Sequence, residues 1–210
     1  MDIFFLGHAC FRLRGSQASL VTDPYSPGLK ELPPKLSADI VTVSHAHEGH
    51  AYTQAVGGEP HIISRPGEYE IGGVIILGLP TFHDSAGGSV RGKNNVYLIE
   101  MDEISICHLG DLGHALDGAT IEEMGNVDVL LVPVGGVSTI DARVAAEVVK
   151  RLEPRIIIPM HYQGKGLDTH LETTARFLNE MGIKEIAPQN KLSVSKSKLP
   201  PSPQVFLLDF

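Results

Sequence analysis

The sequence predicts a mixed α/β fold, and three observations carry that expectation. Short β-type runs fill the first part of the chain. Strand-like and helix-like segments alternate in the second. Side chains able to coordinate or move protons stand just past the carboxyl ends of apolar runs.

The runs of the first part lie at 3–6, 11–13, 19–22, 40–44, 61–64 and 74–79. Gly and Pro punctuate them, as at Pro24, Pro27-Gly28, Pro33-Pro34, Gly57-Gly58 and Pro66-Gly67. Two further runs, 96–101 and 104–109, flank Asp102-Glu103 and predict a hairpin. In the second part, 115–124 reads as a short helix, and 127–134 as a strand buried on both faces because its apolar content does not alternate. Val144, Val148 and Leu152 recur at fourfold spacing, which predicts a helix over 141–152, and 156–160 is a second buried strand. A helix is expected over 169–181, with Asp168 as its N-cap and Gly182 as its stop. After a polar stretch at 193–203, the run 205–208 reads either as a docked strand or as a loosely held tail. With no repeats and no low-complexity linker, one domain over 1–210 is expected.

Composition narrows the partners. A chain of 210 residues, 42% hydrophobic and 20% charged, can build one sizeable core. Its formal net charge is −8 and no stretch is densely basic, which argues against a nucleic-acid backbone as the main partner. The two cysteines, Cys10 and Cys107, sit in apolar runs as small buried hydrophobes rather than as a disulfide framework. The start of the chain lacks a basic leader, and no run approaches the roughly 18 apolar residues of a membrane span. A reducing, cytoplasmic location is the expectation.

The chemistry concentrates in Ser44-His45-Ala46-His47-Glu48-Gly49-His50. Histidine is the commonest metal ligand at neutral pH because its neutral ring offers a lone pair without a charge. On an extended stretch His45 and His47 point the same way, and a turn brings His50 back towards them. The bland alternative is a polar loop with incidental histidines, the chain holding ten. Position argues otherwise. His45 follows the run at 40–44, His83 closes Gly78-Leu79-Pro80-Thr81-Phe82, Asp111 follows 104–109 by one glycine, and His161 caps 156–160. Ligands collect at that edge of mixed α/β sheets.

In order along the chain, Leu6-Gly7-His8-Ala9, Thr22-Asp23-Pro24, the histidine cluster, Thr81-Phe82-His83-Asp84, Leu109-Gly110-Asp111 and Pro159-Met160-His161 form a set. On these motifs the chain resembles the metallo-β-lactamase superfamily, and within it a small single-domain branch similar to ascorbate phosphate lactonases. The resemblance implies a four-layer αββα sandwich with a two-metal site between its halves, usually holding zinc and sometimes manganese or iron. It implies His45, His47 and His83 as ligands of the first metal, His50 and His161 as ligands of the second, and Asp111 as the carboxylate bridging both. Asp23 matches an acid that braces a ligand histidine from behind, with an ordinary Asp-Pro turn as the alternative.

The chain departs from the family pattern H-x-H-x-D-H at Gly49, where the acid belongs. Three outcomes stay open: one metal only, a weak second metal held by His50, Asp111 and His161, or a substitute carboxylate from Glu48, Glu68 or Glu70. His8 reads either as facing the site or its substrate, or as a hydrogen-bonded core histidine. His108 reads as a core or supporting residue, and His61, His114 and His170 as structural or surface residues. In the loop at 87–95, Arg91 and Lys93 are candidates to hold an anionic group, against an ordinary hairpin loop.

The expected function is a metal-dependent hydrolase acting on a small ester, lactone or phosphoester metabolite through a metal-bound hydroxide. Asp111 and Glu48 are the candidate catalytic groups. The alternative is a catalytically weakened metal- or ligand-binding module, motivated by Gly49. A nuclease of the same superfamily is disfavoured, since such enzymes carry an inserted domain for which this chain is too short and too acidic. Fold and metal set a reaction class while loops set specificity, so the substrate and the oligomeric state stay open.

Overall fold

A computed structural model describes residues 1–167 and 169–210; the N-cap expected at Asp168 lies outside the described residues. The first part of the chain supplies β1 (Asp2–Gly7), β2 (Cys10–Arg14), β3 (Ser19–Thr22), β4 (Ile40–Thr42) and β5 (His61–Ile63). Then follow β6 (Gly67–Ile71), β7 (Val74–Phe82), β8 (Lys93–Met101) and β9 (Ile104–His108). The second part adds α1 (Gly118–Met124), β10 (Val129–Pro133), α2 (Ala142–Leu152), β11 (Ile156–Met160), α3 (Ala175–Glu180), β12 (Leu192–Ser193) and β13 (Gln204–Val205).

These strands form two sheets. One is ordered β12-β1-β2-β3-β4-β5 and the other β13-β11-β10-β9-β8-β7-β6. Alternation decides what each first-sheet strand offers. Leu20 and Ile40 point to the shared interior with Ile3, Phe5, Phe11, Ile76, Ile99 and Ile106. Their neighbours Val21 and Val41 point to the opposite face, where they join Cys10, Tyr25, Leu36, Ala38, Val43 and Val56. A single 3-10 turn, Thr53–Ala55, and the surrounding coil cover that outer face, while α2 and α3 cover the second sheet. The mixed α/β sandwich therefore stands, with an outer layer on the first sheet that is mostly coil. No helix among the described residues is long and apolar enough to cross a membrane.

Strand direction positions the chemistry. β2 runs antiparallel to β1 and β3, and β3 and β4 are parallel, so β1, β3 and β4 end at one rim. In the second sheet β8 is antiparallel to β7 and β9, and β9, β10 and β11 are parallel, so β7, β9 and β11 share a rim too.

Several local outcomes have clear causes. The 102–103 hairpin forms with both turn residues left-handed, Asp102 at φ 51 and Glu103 at φ 64, as a tight two-residue connection requires. Strand β7 runs past 79 through Pro80, because beyond Gly78 its other side has no β6 partner and the missing N–H is tolerated. Helix α2 starts as expected, with the Asp141 carboxylate accepting from Val144 N at 2.8 Å. Helix α3 begins at Ala175 rather than 169. Residues before it spend their backbone groups elsewhere: Glu172 N donates to Gly135 O at 2.9 Å and Gln163 N donates to Glu172 O at 2.8 Å. Gly182, at φ 71, does end that helix. The tail docks through β13, parallel to β11, with Val205 buried.

Tyr97, fully buried in β8, ties the sheets together by donating its hydroxyl to Val43 O at 2.9 Å, with Ile63 O at 3.3 Å. Tyr97→Phe is expected to lower unfolding free energy by about 1–2 kcal/mol, since a buried acceptor loses its donor; urea unfolding of the two proteins measures it.

Candidate metal centre

The rim where both sheets end is a cleft of 630 Å³ lined by His8, His45, His47, His50, His83, Asp111 and His161, with Glu48 and Arg91 beside them. The chain breaks at this rim in a repeated way. His8, Asp23 and His161 are each the first residue beyond β1, β3 and β11, and each is left-handed, at φ 55, 39 and 52. Such conformations are costly for non-glycine residues and concentrate at functional sites. Gly110, at φ 54, serves β9 in the same way. A Cβ there would meet Asn94 Oδ1 and Ser44 Cβ at 2.5 Å, so glycine alone lets the 109–111 turn pack under the site.

Asp111 is the focus. Its Oδ2 lies 3.3 Å from His50 Nε2, 3.3 Å from His83 Nε2 and 3.2 Å from His161 Nε2. One carboxylate oxygen has two lone pairs, so it cannot accept three imidazole N–H bonds in good geometry. Its other oxygen is buried without a partner. Donor atoms of His45, His83 and Asp111 lie within 4.8 Å of one another, as do those of His45, His47 and His50, and those of His8, His50 and His161. Crowded imidazole nitrogens around an under-satisfied carboxylate are a donor set suited to cations. Burial pushes the Asp111 carboxyl up, but His161 and His50 hold it well below the usual carboxylate range. Burial, with His161 and His50 nearby, drives His8 well below the ordinary imidazole value, and burial brings His45 down to about 4. Those two rings keep their lone pairs.

Supporting residues fix the orientation of these rings. The fully buried Asp23 accepts from Ser44 N at 2.7 Å and Ser44 Oγ at 2.6 Å, and its Oδ2 lies 2.9 Å from His50 Nδ1. That contact turns His50 Nε2 towards the cleft. Ser44 Oγ in turn lies 3.0 Å from His45 Nδ1. Burial raises the Asp23 carboxyl, but His50, His108 and Ser44 bring it below its ordinary value. Asn94 Oδ1 accepts from Asp111 N at 2.9 Å, and its Nδ2 donates to Thr81 Oγ1 and Leu109 O. Asp84 accepts from the amides of Ala86, Gly88, Val90 and Arg91; with the Arg91 amide foremost, its carboxyl falls to about 2. This shapes the loop that carries Arg91 to the cleft.

The residues singled out in the sequence separate as follows. His45, His47, His50, His83, Asp111, His161 and His8 come together, and Asp23 stands behind them. The stretch 45–50 is bent and turned rather than extended, with His50 N donating to His47 O at 2.9 Å, yet the His45 and His47 rings stay nearly parallel at 17°. Glu48 lines the cleft but is exposed and shares none of the donor groups. Glu68 and Glu70 lie on the edge strand β6, outside the cleft, and Lys93 opens β8 on its exposed side. His108 binds Ala9 O at 2.9 Å and His114 accepts from Phe82 N at 3.2 Å, while His61 and His170 are exposed. Sequence reasoning missed the supporting roles of Ser44, Asp84 and Asn94. The signal for Asn94 is a buried-type strand opening on two asparagines.

A family model described as a β-lactamase superfamily domain matches residues 2–161. A metal-dependent hydrolase of Thermococcus onnurineus is 33% identical over 190 residues, covering 77% of this chain and 84% of its own length. Another, of Thermococcus kodakarensis, shows the same identity and coverage. Among solved structures, a candidate Zn-dependent hydrolase of the metallo-β-lactamase superfamily from Thermotoga maritima superposes with a TM-score of 0.82 at 40% identity, covering 99% of this chain and 97% of its own.

Two outcomes are expected of the supporting residues. Asp23→Asn should weaken affinity for an added divalent metal about 10–100-fold, as loss of a histidine's brace does, measured by competition with a chromophoric chelator. Asp84→Ala should speed hydrogen exchange at the amides of residues 86, 88, 90 and 91 while leaving the core amides protected.

Proposed function

The chain belongs to the β-lactamase superfamily as a metal-dependent hydrolase, and from that premise we propose that it uses two zinc ions to cleave a small, anion-bearing ester, lactone or phosphoester. The observation that carries this reading is the meeting of Asp111 with imidazoles from both sheets at an open cleft whose wall includes Arg91. His45, His47 and His83 would hold one cation, His50 and His161 the other, and Asp111 both. Imidazole-rich donor sets suit zinc, with manganese or iron as alternatives, and suit calcium or magnesium poorly. Zinc, when bound, supplies Lewis acidity towards a carbonyl or phosphoryl oxygen and makes water nucleophilic near neutral pH.

The chain's own residues do the rest. Asp23 and Ser44 hold the tautomers and orientations of His50 and His45. Arg91, whose Nη2 donates to Val137 O at 3.3 Å, has further donors for an anionic group, and the exposed Val90 and Val137 beside it offer an apolar flank. Glu48, exposed at the cleft mouth, is placed to exchange protons with solvent rather than to bind metal. The weakened binding module that Gly49 suggests gives way to the hydrolase on kinship. The buried free thiols Cys10 and Cys107 support a reducing, cytoplasmic location.

A screen of small esters, lactones and phosphoesters with zinc, manganese and iron tests the reading, and a blank across all three metals contradicts it. Chelation should abolish turnover and zinc should restore it. Asp111→Asn should lower kcat about 10³-fold, comparable to losing a principal electrostatic group, and Glu48→Gln by less than about tenfold, in line with an auxiliary proton carrier. Arg91→Ala should raise KM for anionic substrates about tenfold, the worth of one charged hydrogen bond, and leave neutral analogues nearly unchanged.

A further inference from the structure

We propose that His8 is itself a ligand of the second cation, its Nε2 taking the coordination position that Gly49 leaves without a side chain. This rests on the two-cation reading above and extends it to the one place where the chain departs from its family.

Gly49 is not demanded by its backbone, which is not left-handed. Space around it is tight. A Cβ at 49 would point at His8 Nε2, 3.1 Å away, and at His47 Nδ1, 3.2 Å away. A side chain at 49 would crowd the His8 ring, and here the imidazole stands beside the position the acid would fill. His8 Nε2 lies 3.0 Å from His50 Nε2, and the His8 ring centroid lies 4.3 Å from that of His161. Two zinc–nitrogen bonds of about 2.0–2.1 Å meeting near 90–110° put their nitrogens about 2.8–3.4 Å apart. The nitrogens of His8 and His50 already have that spacing.

The loop bearing His8 is anchored from several sides. His161 N donates to His8 O at 2.7 Å, His108 Nε2 meets Ala9 O at 2.9 Å, and the Tyr25 hydroxyl donates to Leu6 O at 2.5 Å. His8 is only 6% exposed, its backbone is left-handed, and its Nδ1 is buried without a partner. No carboxylate competes for the position, since among the described residues Asp111 is the only acid in the donor groups.

The exchange has a chemical consequence. Replacing an acid by a neutral imidazole leaves the donor set with one negative charge instead of two. The loaded centre is then one unit more positive towards an anionic substrate and holds hard, oxygen-seeking cations less well.

The test counts zinc retained per chain after gel filtration, by elemental analysis, for the full-length protein and three variants, with circular dichroism to confirm folding. Wild type should keep two equivalents, and His8→Ala one. His8→Gln, which preserves a hydrogen-bonding side chain next to His50 but is a poor ligand, should also keep one. His8→Ala combined with Gly49→Asp should return to two. If His8→Ala or His8→Gln retains both equivalents, the ring only braces its neighbours and the proposal is overturned while the two-cation reading survives. A wild type that retains no zinc overturns both.

Discussion

A single buried carboxylate oxygen, Asp111 Oδ2, lies within 3.3 Å of three imidazole nitrogens, and the rest of the structure is arranged to permit this. Protons alone serve the cluster poorly: an oxygen with two lone pairs cannot accept three well-aligned bonds, and its partner oxygen accepts none. Holding such a group in place without compensation costs several kcal/mol. The fold sustains it by carrying the converging side chains on the turns that follow its strands. β4, β7, β9 and β11 run deep into the core, so the residues just past them inherit the rigidity of the sheets.

The same economy governs the supporting shell. Asp23 follows β3 directly and binds both Ser44 and His50, so the strand next to β4 orients what β4 delivers. Asn94 reaches from the start of β8 to hold Asp111 N. Left-handed residues at the ends of β1, β3 and β11 turn the chain sharply there, and the 2.7 Å bond from His161 N to His8 O joins the two sheets at the point of greatest crowding. At these three positions backbone strain stands where side chains must converge and is offset by the core behind them.

Much of this was legible in the sequence, for physical reasons that name its limits. Apolar runs such as 127–134 and 156–160 announce buried strands because burial on both faces leaves no room for polar alternation, and the arrival of His161, just past the second, at the cleft could be read by position. Strand β6 was not legible, because Glu68-Tyr69-Glu70 is an edge segment whose charges face solvent. Nor was the late start of α3, since the pairing of Glu172 with Gly135 and Gln163 is tertiary and overrides local propensity. Among the carboxylates nearby in sequence, Glu48, Glu68 and Glu70, none joins the donor groups around position 49. The structure instead brings His8 there from 41 residues away, and nothing in local spacing could reveal that.

We propose that side chains from five strand ends gather two cations at one cleft. An anomalous-scattering map from crystals soaked in zinc tests it most directly. Two peaks, one among His45, His47 and His83 and one among His50, His161 and His8, with Asp111 touching both, are the predicted result. A map with no peak in the cleft, or with zinc only at surface histidines such as His61 and His170, would contradict it.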